Sequence, residues 1–185
     1  MPAVILDACV TLNFYASGQF LPILSTLPHA WHLPVAVERE AQYYRQPAPD
    51  DPQRLVVVPL DLQPAIAAGL LQRCDCETAA ETSLYVDLAS QLGDDGESLG
   101  LAIAKCRGWT VLTDDKKARR IARELGVDTR DTTQILRQWS DTAVPSPETV
   151  RIALEEIERF ANFRPTSALT QTDWWFRVLQ GPRED

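Results

Sequence analysis

Residues 109–126 run Trp109-Thr110-Val111-Leu112-Thr113-Asp114-Asp115-Lys116-Lys117-Ala118-Arg119-Arg120-Ile121-Ala122-Arg123-Glu124-Leu125-Gly126. The apolar run ends at Leu112, two acids stand at its carboxyl end, and residues 117–125 form a helix with Gly126 behind it. Just upstream, Glu97 to Arg107 is an amphipathic helix built on Leu99, Leu101, Ala102, Ile103 and Cys106, and Gly108 ends it. Helix, strand, acids, helix is the order expected of a parallel α/β sheet. In such sheets ligands gather where the strands end.

Outward from this stretch the same grammar repeats. Ala3-Val4-Ile5-Leu6 is a short buried strand that stops at Asp7. Thr11 to Leu24 reads as one helix, Trp31-His32-Leu33 as a brief strand, and Pro34 opens a helix carrying Val37, Glu38, Glu40, Ala41 and Tyr44. Gln46 to Pro52 reads as a loop through its prolines and acids, and Leu55 to Val58 as a strand. Helices are expected at Pro64 to Gln72 and Thr78 to Leu92, with Gly93-Asp94-Asp95-Gly96 as a break. A short strand, a helix from Thr133 to Trp139, and a helix from Pro145 to about Phe160 follow. The fold class is α/β: a central, mostly parallel sheet with helices on both faces.

Composition narrows the function classes. The chain has 185 residues, 45% of them hydrophobic and 24% charged, which suits one compact domain burying roughly 70% of its unfolded surface. No apolar run approaches the ~18 residues of a membrane span, and the opening residues do not have the basic-then-apolar order of an export signal. A cytoplasmic address is expected. Cys9, Cys74, Cys76 and Cys106 are too few and too unevenly spaced for a disulfide framework, and with only His29 and His32 beside them they make no zinc pattern. The net charge of −8 argues against unspecific binding to nucleic acid, yet eight of the 18 basic residues fall between Lys105 and Arg130. One basic side on an acidic protein is the expectation.

The acids carry the chemistry. Asp7 follows the first strand, Glu38 and Glu40 sit on an early helix, Glu97 opens a middle one, and Asp114 and Asp115 close a late strand. Singly, each has an ordinary use as a helix cap, a turn former or a partner of the helix dipole. Jointly, a parallel sheet can bring them to one edge, where carboxylates repel unless a proton or cation lies between them. Oxygen ligands without histidine or thiolate select hard cations, Mg²⁺ or Mn²⁺, which can polarise a phosphate and activate water.

Four motifs in this order resemble those of the PIN-domain nucleases, the family that includes VapC-type toxins. They are Val4-Ile5-Leu6-Asp7-Ala8-Cys9, then Leu33 to Glu40, then Gly96-Glu97-Ser98-Leu99-Gly100-Leu101-Ala102-Ile103-Ala104, and last Leu112-Thr113-Asp114-Asp115-Lys116-Lys117-Ala118-Arg119. The last two are the specific ones. The resemblance implies a metal-dependent ribonuclease leaving a 5′-phosphate and a 3′-hydroxyl, with Asp7, Glu40, Glu97 and Asp115 catalytic and metal-binding. Asp114 is a near-equal choice to Asp115, and Glu38 is the weaker alternative to Glu40. It further implies Mg²⁺ or Mn²⁺ as cofactor, and an RNA backbone held by Lys116, Lys117, Arg119 and Arg120. Where the family shows Gly-Thr, this chain has Asp131-Thr132. Thr132 offers a hydroxyl to the site, and Asp131 adds an acid near it.

The expected layout is a nuclease domain over residues 1–140 and a helical extension over 141–185 packed on it, with an extra helix between Leu60 and Asp95. The aromatic stretch around Trp174, Trp175 and Phe176 is expected to pack on the domain, with a homodimer or a bound antitoxin as the second reading. The leading function is the toxin of a toxin–antitoxin pair, and the alternative is an inactive PIN-like scaffold that binds a protein partner. Phosphoryl transfer through an aspartyl phosphate ranks lower because Asp7-Ala8-Cys9 lacks a second acid. Dinucleotide binding ranks lower still, since no glycine fingerprint follows the first strand.

Overall fold

The computed structural model describes residues 1–181, so the last four residues of the expected 141–185 extension lie outside the described residues. Five strands, β1 (Ala3–Leu6), β2 (Ala30–Pro34), β5 (Leu71–Cys74), β6 (Thr110–Leu112) and β7 (Thr129–Arg130), form one sheet in the order β5-β2-β1-β6-β7. Every pairing in it is parallel, with Ile5 opposite His32 on one side and Val111 on the other. The chain winds from β1 toward β2 and β5, then returns to β6 and β7 on the opposite side. The winding therefore reverses between β1 and β6, and that seam is where an open α/β sheet leaves its crevice.

The central strands alternate between two apolar layers. Val4, Leu6, Trp31, Leu33 and Leu112 belong to one core with α1 (Ala8–Ala16), α2 (Phe20–Thr26) and α8 (Thr132–Ala143). α9 (Pro147–Glu156) and α10 (Thr172–Gln180) join that layer through Val150, Leu154, Trp174 and Trp175. Ile5 and Val111 face the other core, built with α5 (Ala79–Leu92), α6 (Asp95–Arg107) and α7 (Lys116–Leu125). Burial on both faces is why β1 is a continuous apolar run, whereas β2 interrupts its own with half-buried His32, stacked on Trp109 at 4.2 Å between ring centres.

Several local expectations are corrected. The helix expected over Thr11–Leu24 is two helices, because Gly18 takes φ +67° and turns the chain between α1 and α2. The helix after Pro34, α3, covers only Val35–Glu40, and Tyr44 lies on β3 (Tyr43–Ala48). The loop expected over 46–52 belongs to a hairpin in which β3 pairs antiparallel with β4 (Asp51–Pro59), outside the main sheet. Hydrogen bonds along the hairpin outweigh the turn propensity of its prolines. The helix expected over Pro64–Gln72 is a short α4 (Gln63–Ala67) followed by strand β5, which gains a full ladder against β2. α9 stops at Glu156, and a π-helical turn (Ile157–Ala161) continues it past Phe160. Among the described residues no helix is long and apolar enough to cross a membrane.

Candidate active site

Asp7, Asp114, Asp115 and Asp131 stand at strand-to-helix junctions, Asp94 and Glu97 at the break between α5 and α6, and Glu40 at the end of α3; several have a local structural use. Asp7 caps α1, with its Oδ1 accepting from Ala8 N–H at 2.6 Å. Asp115 caps α7 by accepting from Ala118 N–H at 2.7 Å. Asp94 caps α6, accepting from Glu97 N–H at 2.8 Å. Asp131 caps α8 in a reciprocal box with Gln134. Capping and clustering are not rivals at Asp7 and Asp115, since the parallel strands β1 and β6 start their following helices at one common edge.

Asp7 and Asp114 form the inner part of the site. Across the seam, Asp7 N–H donates to Leu112 O at 3.1 Å, while the Thr113 hydroxyl donates to Asp7 Oδ2 at 2.7 Å. The Cys9 thiol donates to the same oxygen at 3.1 Å. Burial pushes the Asp7 carboxyl above the ordinary aspartate range, and the bonds from Thr113, Cys9 and Ala8 pull it partly back. Burial also pushes the Cys9 thiol far up, so it acts as a weak donor and not as a nucleophile. Asp114 receives Thr132 N–H at 2.9 Å, the Thr132 hydroxyl at 2.6 Å and the Asn13 amide at 2.9 Å. Its carboxyl is still pushed up to about 6, by burial first, with the charges of Asp131 and Asp7 adding and Thr132 opposing.

Glu97 and Glu40 form the outer part. Glu97 is pushed up to about 8, first by burial and then by Asp7, Asp115, Asp94 and Glu40 in turn. Of these acids, Asp7 lines one small pocket with Glu97, together with Gly96 and Thr113. Glu40 accepts from Gly96 N–H at 3.0 Å and is raised by burial and by Asp94, with smaller effects from Asp7 and Asp95. A Cβ on Gly96 would stand 2.5 Å from Glu40 Oε2 and 3.0 Å from Val37 Cγ2. The absence of a side chain at Gly96 therefore makes room for the Glu40 carboxylate.

The structure sorts the remaining expected site residues. Glu38 points elsewhere: it takes a two-pronged pair from Arg73, at 2.7 and 2.6 Å, which holds its carboxyl below the usual range. Thr132 is buried with its hydroxyl committed to Asp114. Asp131 is fully buried, and its Oδ2 faces Thr170 at 3.4 Å and Arg119 at 4.0 Å. Lys117 Nζ donates to Leu92 O at 2.9 Å, at the end of α5. Lys116 and Arg120 are exposed on α7, where Arg120 pairs with Glu124, and Arg119 is half-buried.

Three contributors escaped the sequence reading. Asp94 reads in the sequence as part of a break, although Asp94-x-x-Glu97 has the spacing of a helix cap. Asn13, buried on α1, bonds both Asp114 and Thr132. A polar residue on an apolar helix face was its only signal. Thr113 lies inside a quoted motif, but its bond to Asp7 depends on strand pairing.

The chain matches the family model of the PIN domain over residues 3–172. It belongs to the PIN-domain family. PIN domains are typically nucleases, generally use divalent metals and act on nucleic acid, so the fold is that of a phosphodiester hydrolase. No curated protein matches the chain. The donor set suits a divalent cation, being oxygen-only, with burial first and neighbouring carboxylates second disfavouring the Glu97 charge. Among the described residues, however, no three acid, histidine or cysteine side chains are grouped closely enough to hold an ion.

Proposed function

We propose that this PIN domain is a divalent-metal-dependent endoribonuclease, using Mg²⁺ or Mn²⁺, that serves as the toxin of a toxin–antitoxin pair. The observation carrying the nuclease reading is that Asp7 and Glu97 line one pocket at the β1–β6 seam, where burial first, and then the charges of Asp7, Asp115, Asp94 and Glu40, push the Glu97 carboxyl up to about 8. Such a concentration of like charge is stabilised by a cation and costs stability without one. The metal-holding residues are assigned as Asp7, Glu40, Glu97, Asp114 and Asp115. When bound, the metal would supply Lewis acidity to the phosphate and a water active at neutral pH.

The chain's own groups do the remaining work. Thr113 and Cys9 orient Asp7, and Asn13 and Thr132 orient Asp114 through the bonds given above. Lys116 and Arg119, on the helix that starts at Asp115, are assigned to the RNA backbone. Lys117 and Thr132, whose polar atoms are engaged within the protein, are assigned a positioning part. The toxin role rests on the order of the four sequence motifs, and it brings with it an antitoxin partner and a homodimer.

The deciding experiment is cleavage of end-labelled RNA with Mn²⁺ or Mg²⁺ against EDTA, with Asp7→Asn and Glu97→Gln alongside. Metal-dependent cutting by the wild type, lost in both folded variants, is expected. If the wild type neither cuts RNA nor binds Mn²⁺ in calorimetry, the reading fails. The toxin role is checked separately by growth arrest on expression and its relief by a co-expressed neighbouring gene product.

A further inference from the structure

A groove of about 1150 Å³ runs away from Asp114 and Asp115, between α7 and the segment 163–169. Its lining holds six lysines and arginines against three aspartates, in a chain whose net charge is −8. Two of those aspartates are the site acids at its inner end. We propose that this groove is a phosphate track for single-stranded RNA, in which Arg123 and Arg164 hold the backbone beyond the carboxylate site. The proposal rests on the nuclease reading for the identity of its ligand.

The spacing on α7 supports a track. Lys116, Arg120 and Arg123 fall at i, i+4 and i+7, one exposed helix face opposite the buried Ala118, Ile121 and Ala122. One basic group per turn, about 5.4 Å of rise, suits an extended polymer with one charge per unit. Arg164 faces this row from the other wall. Its guanidinium lies 5.1 Å from the Phe176 ring centre and 3.8 Å from Glu158, which orders it without enclosing it. An exposed pair that long is weak, so the guanidinium can take a phosphate. Continuity with the acids favours RNA over an acidic peptide, because a peptide has no need of a groove that opens onto a hydrolytic site. The groove lies within one domain and has the volume of a few nucleotides of one strand.

The test uses the full chain in EDTA and a fluorescein-labelled single-stranded RNA about 12 nucleotides long, read by anisotropy across a salt series. Arg123→Gln and Arg164→Gln are each expected to weaken binding severalfold and to lower the slope of log K against log salt by about 0.7. A merely structural role would leave that slope unchanged. Lys116→Gln, at the exposed start of α7, gives the same readout should Arg164→Gln disturb the Phe176 contact. Unchanged affinity and slope in the variants overturns the track. So does displacement of the RNA by polyglutamate as effective as displacement by unlabelled RNA, or equal binding of duplex RNA. Wild-type hydrolysis of bis(p-nitrophenyl) phosphate with Mn²⁺ is measured in parallel and reads the carboxylate site alone. Hydrolysis with unchanged slopes therefore fails the track and keeps the nuclease, whereas altered slopes without hydrolysis fail the nuclease and keep the track.

Discussion

The Thr113 hydroxyl donates to Asp7 Oδ2 at 2.7 Å across a sequence separation of 106 residues, joining the ends of two neighbouring strands. The same hydroxyl accepts Asp115 N–H at 3.1 Å, so one threonine fixes an inner acid and the start of α7. Thr113→Val removes the donor that favours ionised Asp7. The Asp7 carboxyl should then move further up, and the acid limb of the RNA-cleavage profile should shift to higher pH. Stability should fall by about 1–2 kcal/mol in urea unfolding, with Thr113→Ser restoring both. An unmoved acid limb would remove Thr113 from the site.

Glu97 links stability to pH. Its folded carboxyl, at about 8, lies above its ordinary value of 4.5, so between those values the folded protein binds a proton that the unfolded chain releases. Stability should therefore fall as pH rises through that window and level off above it. Glu97→Gln should be more stable than wild type at pH above ~8 by about 1–2 kcal/mol, a figure discounted for the solvent reaching this half-buried group. Adding Mn²⁺ at high pH should raise the wild-type melting temperature more than that of Glu97→Gln. Parallel melting curves would show that Glu97 takes no part in metal binding.

Gly96 makes room for Glu40. Gly96→Ala places a methyl group 2.5 Å from Glu40 Oε2 and should displace that carboxylate, breaking its bond to the Gly96 amide. Metal-dependent cleavage is expected to fall about tenfold or more, equivalent to ~1.4 kcal/mol of barrier, with far-UV circular dichroism unchanged. Full activity would show that Glu40 is dispensable.

Asn13 lies between Asp114 and Thr132, 2.9 and 3.0 Å from their oxygens. Asn13→Asp exchanges a donor for a second buried carboxylate beside one already pushed up to about 6. The variant should approach wild-type stability near pH 5, where the pair can share a proton, and lose about 2–3 kcal/mol above pH ~7. Urea midpoints at the two pH values decide it, and a pH-independent loss would contradict the proposed contact.

Glu38 and Glu40 are two residues apart but serve different ends. Glu38→Gln breaks only the exposed pair with Arg73 and should leave cleavage near the wild-type rate, whereas Glu40→Gln should reduce it strongly. Comparing the two rates on one RNA at saturating Mn²⁺ settles which acid belongs to the site.

The sequence by itself determined the α/β class, the carboxyl-end position of Asp7, Asp114 and Asp115, and the order of motifs that marks a PIN domain. Apolar runs ending in acids and helices stopped by Gly108 and Gly126 are local signals, and local chemistry suffices to read them. Leu55–Val58, in the middle of β4, is legible as an apolar run, but β5 and the hairpin residues 46–52 are not, because Leu71–Cys74 and Gln46–Pro52 have weak or opposing propensities and take their place only through their partners. The division of labour within the site was likewise decided by tertiary structure. Nothing local to Glu38 says that Arg73, 35 residues away, will occupy it. Nothing local to Thr132 says that its hydroxyl will be committed to Asp114. Carboxylate ionisation depends on burial and on charges brought together by the β1–β6 seam. That information lies in distances between segments, which a one-dimensional pattern does not contain.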